Sequence, residues 1–288
     1  MFFFVLVSLL WAFSFGLIGN TLSGVDSFFV ATFRLGCATL LFLPFLRIRE
    51  TICYDRLRLM LIGAIQFGLM YTCYMSAFKY LPSHLIAIFS ILTPLYVVLI
   101  HNLRQRNFCF RYFVAAFFSI AGAFVIKAES LPTGDFWLGF GLMQVAGICF
   151  AYGQVAYRDW KKENPKTNDR SVFAWLTIGG VVCVGFFSLF FTNWEKLELI
   201  RAQWYSILYL GFVASGLGFF LWNKGASKSN PGTLAAFNNV VVPAAVVISL
   251  FFFGEAKSLN FEVISKLLIG SFLIATSVVM GRNQSAKF

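Results

Sequence analysis

The chain carries one motif twice. Residues 79–98 read KYLPSHLIAIFSILTPLYVV and residues 228–247 read KSNPGTLAAFNNVVVPAAVV. At an offset of 149 residues the identities are Lys79/Lys228, Pro82/Pro231, Leu85/Leu234, Ala87/Ala236, Pro94/Pro243, Val97/Val246 and Val98/Val247. Four of the 7 prolines fall in this pattern, so the match rests on residues that constrain the backbone and not on shared apolarity alone. Each copy sits within apolar sequence, at corresponding places in the two halves. In membrane proteins that arrangement points to a transporter with its site between two related units.

The medium around those units follows from composition. The chain is 59% hydrophobic and 12% charged, with a mean hydropathy of +0.78. A soluble domain carries about 25% charged residues. There is too little polar surface here to face water, so the solvent is lipid. No basic segment precedes the first apolar stretch, which argues against a signal peptide. The net charge of +11 is spread over short loops and reads as a topology signal, not as a nucleic-acid patch. The 6 cysteines form no CxxC and pair with no histidine, so they are read as packing residues, with no metal site. No phosphate-binding, zinc-protease or nucleophile-elbow motif occurs, and the expectation is no catalytic residue and no cofactor.

Ten stretches are long and apolar enough to cross a bilayer: 2–19, 27–46, 59–78, 85–102, 112–126, 136–157, 171–191, 204–223, 232–253 and 263–281. With the N-terminus in the cytoplasm, the inner loops hold 16 of the 23 Lys and Arg and the outer loops hold 5. That bias sets both termini inside. The fold class expected is an all-α integral membrane protein of ten helices, arranged as a 5+5 inverted repeat. The units are 1–127 and 128–288. An odd number of crossings per unit turns the second unit over, so Lys79 lies outside and Lys228 inside.

Polar groups inside hydrocarbon are costly and face a bundle interior or cavity. Arg34 is the charged side chain nearest a mid-membrane position and is the candidate partner for a substrate carboxylate. Other candidates for lining a substrate site are Trp11, Ser14, Gln66, Tyr71, Tyr74, Ser90 and Thr93 from the first half. Gln144, Tyr152, Trp175, Asn238 and Asn239 come from the second. Each has a plainer alternative, as interhelical glue or interfacial aromatic. Pro94 and Pro243 lie inside the fourth and ninth segments, where each removes a backbone hydrogen bond and favours a kink or local break that can act as a hinge. No Asp or Glu lies near the middle of any segment, which disfavours a proton-driven exporter of cations.

LLWAFSFG at 9–16, FRLGCATLLFLPFLR at 33–47, ILTPLY at 91–96 and GTLAAFNNVVVPA at 232–244 resemble the drug/metabolite transporter superfamily, in its ten-helix EamA-type branch. The resemblance covers nearly the whole chain and implies a 5+5 inverted-repeat fold around a central substrate cavity. Within that branch the chain most resembles the bacterial biotin permease group, through Trp11 to Gly16, the VDSFF around Asp26, Phe42 to Arg47, Leu92 to Tyr96, Phe173 to Trp175 and Gly232 to Asn239. One departure is that Gln105 and Arg106 stand where the superfamily often ends its fourth helix with Gly-Glu. The resemblance implies a multi-pass carrier of the bacterial inner membrane that imports a cofactor-type metabolite, with biotin leading. S-adenosylmethionine uptake, in exchange for S-adenosylhomocysteine, and export of amino acids or metabolites are the alternatives. The partners expected are a small-molecule metabolite and the lipid bilayer, without nucleic acid; a homodimer is left open.

Overall fold

The protein is described by a computed structural model, which covers residues 1–22, 24–77, 79–81, 83–106, 108–127, 136–252 and 261–282. Pro82, the 128–135 connection between the two expected units, and Gly254 with Glu255 lie outside the described residues. The regular structure described is helical throughout. In chain order the helices are α1 (Phe2–Thr21), α2 (Ser27–Phe42), α3 (Cys53–Ala77), α4 (Ser83–Ser90), α5 (Thr93–Gln105) and α6 (Phe110–Lys127). Then come α7 (Trp137–Glu163), α8 (Asp169–Phe191), α9 (Arg201–Ser227), α10 (Pro231–Phe237), α11 (Val241–Phe252) and α12 (Phe261–Arg282). Among the described residues, 8 helices are long and apolar enough to cross a membrane.

Local sequence explains where they start. Asp26 caps α2 by accepting from the Phe29 amide at 2.8 Å, and Asn168 caps α8 by accepting from Arg170 and Ser171. Asn230 caps α10 by accepting from the Thr233 amide at 2.7 Å, with Pro231 at the first helical position, where its missing N–H is no loss. Bulky apolar side chains point outward along the helices, among them Phe117, Phe190, Phe251, Phe261 and Phe272. Water would penalise that surface; hydrocarbon does not.

The disruption expected at the prolines of the fourth and ninth segments is a full break, and it lies ahead of each proline, which is thus not in a helix interior. The segments are broken at Ile91–Leu92 between α4 and α5 and at residues 238–240 between α10 and α11. Pro94 is therefore in the first turn of α5, and Pro243 in the first turn of α11. The reason is local. Proline lacks the N–H that an interior position would need, whereas the first four N–H groups of a helix have no partner within it. The third segment also starts earlier than expected, at Cys53, and the sixth runs on to Glu163, beyond its apolar stretch.

Both α3 and α9 contain a wide, π-helical turn, at Ala64–Leu69 and Leu210–Leu217. At the 149-residue offset these two turns overlap. Both contain glycine, Gly68 in the first and Gly211 with Gly216 in the second, which lowers the preference for a regular helix. Packing recurs at the same offset: α2 lies on α9 and α3 lies on α8, while α6 lies along α12. Glycines allow the closest crossings. A Cβ on Gly63 would overlap the Leu176 carbonyl, and one on Gly179 would overlap the Met60 carbonyl.

One end of the bundle is basic. There Arg104 pairs with Asp159 at 2.9 Å, Arg58 with Glu163 at 3.2 Å and Lys161 with Asp169 at 2.7 Å. Trp160 Nε1 donates to Asp55 at 2.9 Å. The bonds of Arg58, Arg104 and Trp160 tie α3 and α5 to α7, and so join the two halves of the chain on that face, while Lys161 ties α7 to α8.

Candidate substrate site

Arg34 is only 6% exposed, near the middle of α2. Its Nε donates to Ser215 Oγ at 3.1 Å, and its guanidinium lies 5.2 Å from the centre of the Tyr71 ring. Ser215 belongs to the wide turn of α9, and Tyr71 follows the wide turn of α3. The ion pairs among the described residues all lie elsewhere. A buried cation without a carboxylate is costly. Its fork of N–H donors matches a carboxylate in two parallel bonds. Tyr74, one turn beyond Tyr71, is half-buried where two apolar clusters meet.

Trp11 borders the same region from α1. Its Nε1 donates to the Ala214 carbonyl at 2.9 Å, inside the wide turn of α9. A wide turn interrupts the regular backbone ladder, so a carbonyl there can serve an outside donor. The Trp11 ring lies 5.3 Å from Phe219 and 4.9 Å from Trp222. Phe219 in turn stacks on Phe67 at 4.7 Å and faces Tyr71 edge-on. These rings form one aromatic wall drawn from α1, α3 and α9.

Beyond that wall lie neutral amides. Gln66 is 0% exposed and Asn223 1%. Gln66 Nε2 donates to Asn223 Oδ1 at 2.9 Å, and Asn223 Nδ2 donates back to Gln66 Oε1 at 3.3 Å. Gln154 Oε1 accepts from Trp222 Nε1 at 3.0 Å and from Asn238 Nδ2 at 3.2 Å. Amides buried in hydrocarbon need partners of this kind.

The remaining sequence candidates are not gathered here. Asn239 donates to the Ile91 carbonyl at 3.0 Å and the Ser119 carbonyl at 3.2 Å, so its amide serves the break between α4 and α5. Thr93 Oγ1 donates to the Ser90 carbonyl across that same break, at 2.7 Å. Ser90 itself is exposed. Ser14 bonds back to the Leu10 carbonyl within α1. Gln144 accepts from Tyr96 Oη at 2.6 Å, and its own Nε2 is buried without a partner. Tyr152 and Trp175 sit at the basic end, against Arg104 and Arg56 respectively. Arg34, Tyr71, Tyr74, Trp11, Gln66 and Asn238 therefore belong to one connected centre.

Sequence reasoning missed Ser215, Phe219, Trp222, Asn223 and Gln154. Ser215 lies among the small residues Gly211, Ala214, Gly216 and Gly218, which read as packing residues, and Phe219 is one of 37 phenylalanines. Asn223 stands at the drawn end of the eighth segment. The signal that finds Asn223 and Gln154 is the cost of an amide in an apolar helix, which demands a partner on another helix.

Comparison with known proteins identifies the kind of molecule. The model of the EamA-like transporter family matches residues 1–128 and 133–281. The biotin transporter of Salmonella typhimurium is 38% identical over 248 residues, 85% of this chain and 82% of that protein. The biotin transporter of Escherichia coli strain K12 is 38% identical over 250 residues, with the same coverage of 85% and 82%. A probable biotin transporter of Pseudomonas aeruginosa is 35% identical over 278 residues, 96% of this chain and 95% of that protein. One solved crystal structure superimposes with a TM-score of 0.79, covering 97% of this chain and 96% of that chain at 14% identity, which shows a shared fold. With its long apolar helices and bacterial relatives, the protein is a multi-pass protein of the bacterial inner membrane. The chain belongs to the EamA-like transporter family.

Proposed function

We propose that this chain is a secondary transporter that imports biotin by alternating access. The observation that carries the reading is Arg34, a buried guanidinium that forms no ion pair among the described residues and lies beside an aromatic wall. Biotin is a carboxylate with an apolar body, and both parts suit that surrounding. The relatives named above as biotin transporters support the substrate. S-adenosylmethionine draws no support from them.

In this proposal the chain crosses the bilayer ten times, as two inverted units of five with both termini in the cytoplasm. The two broken spans and the two wide turns, placed alike in the two halves, support that arrangement. Alternation opens the site to one side while the other is closed. The ion pairs Arg58–Glu163 and Arg104–Asp159 join α3 and α5 to α7 at the basic end, which is the cytoplasmic end in this reading. The broken spans give the halves points at which to bend.

Radiolabelled biotin supplied to cells that lack their own biotin uptake tests the reading. Expression of the chain produces saturable accumulation, which unlabelled biotin suppresses and S-adenosylmethionine does not. Absence of uptake, with the protein confirmed in the membrane, overturns it. Counterflow in proteoliposomes separates a carrier from a channel.

A further inference from the structure

Ser215, Phe219 and Asn223 follow one another at intervals of four along α9. That spacing keeps them near one face of the helix. Each meets a different chemistry. Ser215 holds Arg34, Phe219 holds the aromatic wall, and Asn223 holds Gln66. The face therefore runs from a cation through aromatic rings to a pair of neutral amides. Eight residues of helix rise about 12 Å.

We propose that this face is the track along which biotin lies, with its ureido ring read by Gln66 and Asn223. The inference rests on the proposed biotin transport and adds the residues that select the ureido head. Biotin has a carboxylate at one end and a ureido group at the other. An alkyl chain and a thioether ring lie between them. The order of chemistries along α9 is the same. The ureido group carries two N–H donors and a carbonyl acceptor and has no charge. A primary amide carries an NH₂ and a carbonyl and also has no charge. The Gln66–Asn223 bonds are thus the kind that a ureido group replaces one for one. A ureido N–H donates to an amide oxygen, and the ureido carbonyl accepts from an amide nitrogen.

Without substrate the two amides satisfy each other, so neither is left unpaired inside the bundle. With substrate between them they move apart, and with them α3 and α9, which lie in different halves of the chain. Ureido recognition and separation of the halves are then one event.

Competition against labelled biotin tests this with three unlabelled compounds. Desthiobiotin keeps the ureido group and the carboxylate. 2-Thiobiotin keeps both N–H donors and stays neutral, but replaces the ureido oxygen by sulfur, a poor acceptor. Biotin methyl ester removes the carboxylate charge. The wild-type protein is inhibited by desthiobiotin nearly as well as by biotin, and about tenfold less well by 2-thiobiotin. The double variant Gln66→Met with Asn223→Leu removes both partners together, the change that best preserves folding. It brings biotin and 2-thiobiotin to within about twofold of each other, and leaves the ratio of biotin to its methyl ester unchanged. A purely structural amide pair would not move the first ratio. Biotin uptake with no discrimination against 2-thiobiotin by the wild type overturns the inference, as does an unchanged ratio in a folded double variant. If the wild type takes up no biotin, the underlying reading fails instead. The wild-type comparison stands even if the double variant does not fold.

Discussion

Arg104 Nε donates to Asp159 Oδ2 at 2.9 Å across the basic end of the bundle, joining α5 to α7. Asp159 also takes Arg158 Nη1 at 3.3 Å, and Arg158 Nε donates to the Ser229 carbonyl at 2.8 Å. One carboxylate thus holds two guanidinium groups, and Arg158 is 5% exposed at its side chain. Asp159→Ala leaves that buried cation without its counter-charge. Breaking a buried pair in this way costs about 3 kcal/mol. Thermal unfolding in detergent checks it, and a midpoint equal to that of the wild type would show that the network contributes nothing to stability.

In the proposed site Arg34 reads the substrate carboxylate through a fork of donors. Arg34→Lys keeps the charge and loses the fork. It raises the KM for biotin uptake about tenfold, while Arg34→Ala raises it about a hundredfold. Inhibition by biotin methyl ester stays the same in both, since the ester has no charge to lose. Unchanged KM in Arg34→Ala, at normal expression, would remove Arg34 from the site.

Gly122 of α6 and Gly270 of α12 face each other so closely that a Cβ on either would overlap the carbonyl of the other. Gly122→Leu forces those helices apart. Overpacking of this kind costs about 1–3 kcal/mol. A lower unfolding temperature is expected, with reduced yield in the membrane. Gly141 meets nothing within 4 Å, so Gly141→Leu is the neutral control.

The two copies of the motif test the proposed inversion. Lys79 and Lys228 are both exposed, each near the end of a helix. With cysteine introduced singly at each position in a cysteine-free protein, an impermeant thiol reagent outside intact cells labels Lys79→Cys. It labels Lys228→Cys only after the membrane is opened. Labelling of both from the same side would refute inverted units.

Membrane helices, their caps and the broken fourth and ninth segments were within reach of sequence reasoning, for separate reasons. Apolar runs such as 171–191 cannot be solvated except by lipid. Asn168 and Asn230 stop and start helices through bonds within a few residues. The prolines disclosed a disruption but not its form. Placing Pro94 in a first turn requires knowing that the chain breaks at Ile91, and that break is held by Asn239 from the other half. The wide turns were not legible either. Gly68 and Gly211 make them inexpensive, but the packing of α3 on α8 and α9 on α2 selects them.

The candidate site divides along the same line. Arg34 could be singled out from the sequence because a cation in hydrocarbon is costly wherever the chain places it. Its partner Ser215 lies 181 residues away, and Asn223, the partner of Gln66, lies 157 away. No local pattern joins residues so far apart. The residues alone dictate that the chain is helical, embedded in lipid and carries one motif twice, because hydropathy and backbone constraints act over short stretches. The tertiary structure alone decided that Arg34 and Gln66 meet the face of α9 that carries Ser215, Phe219 and Asn223, because hydrogen bonds and ring contacts between helices depend on how the two halves pack.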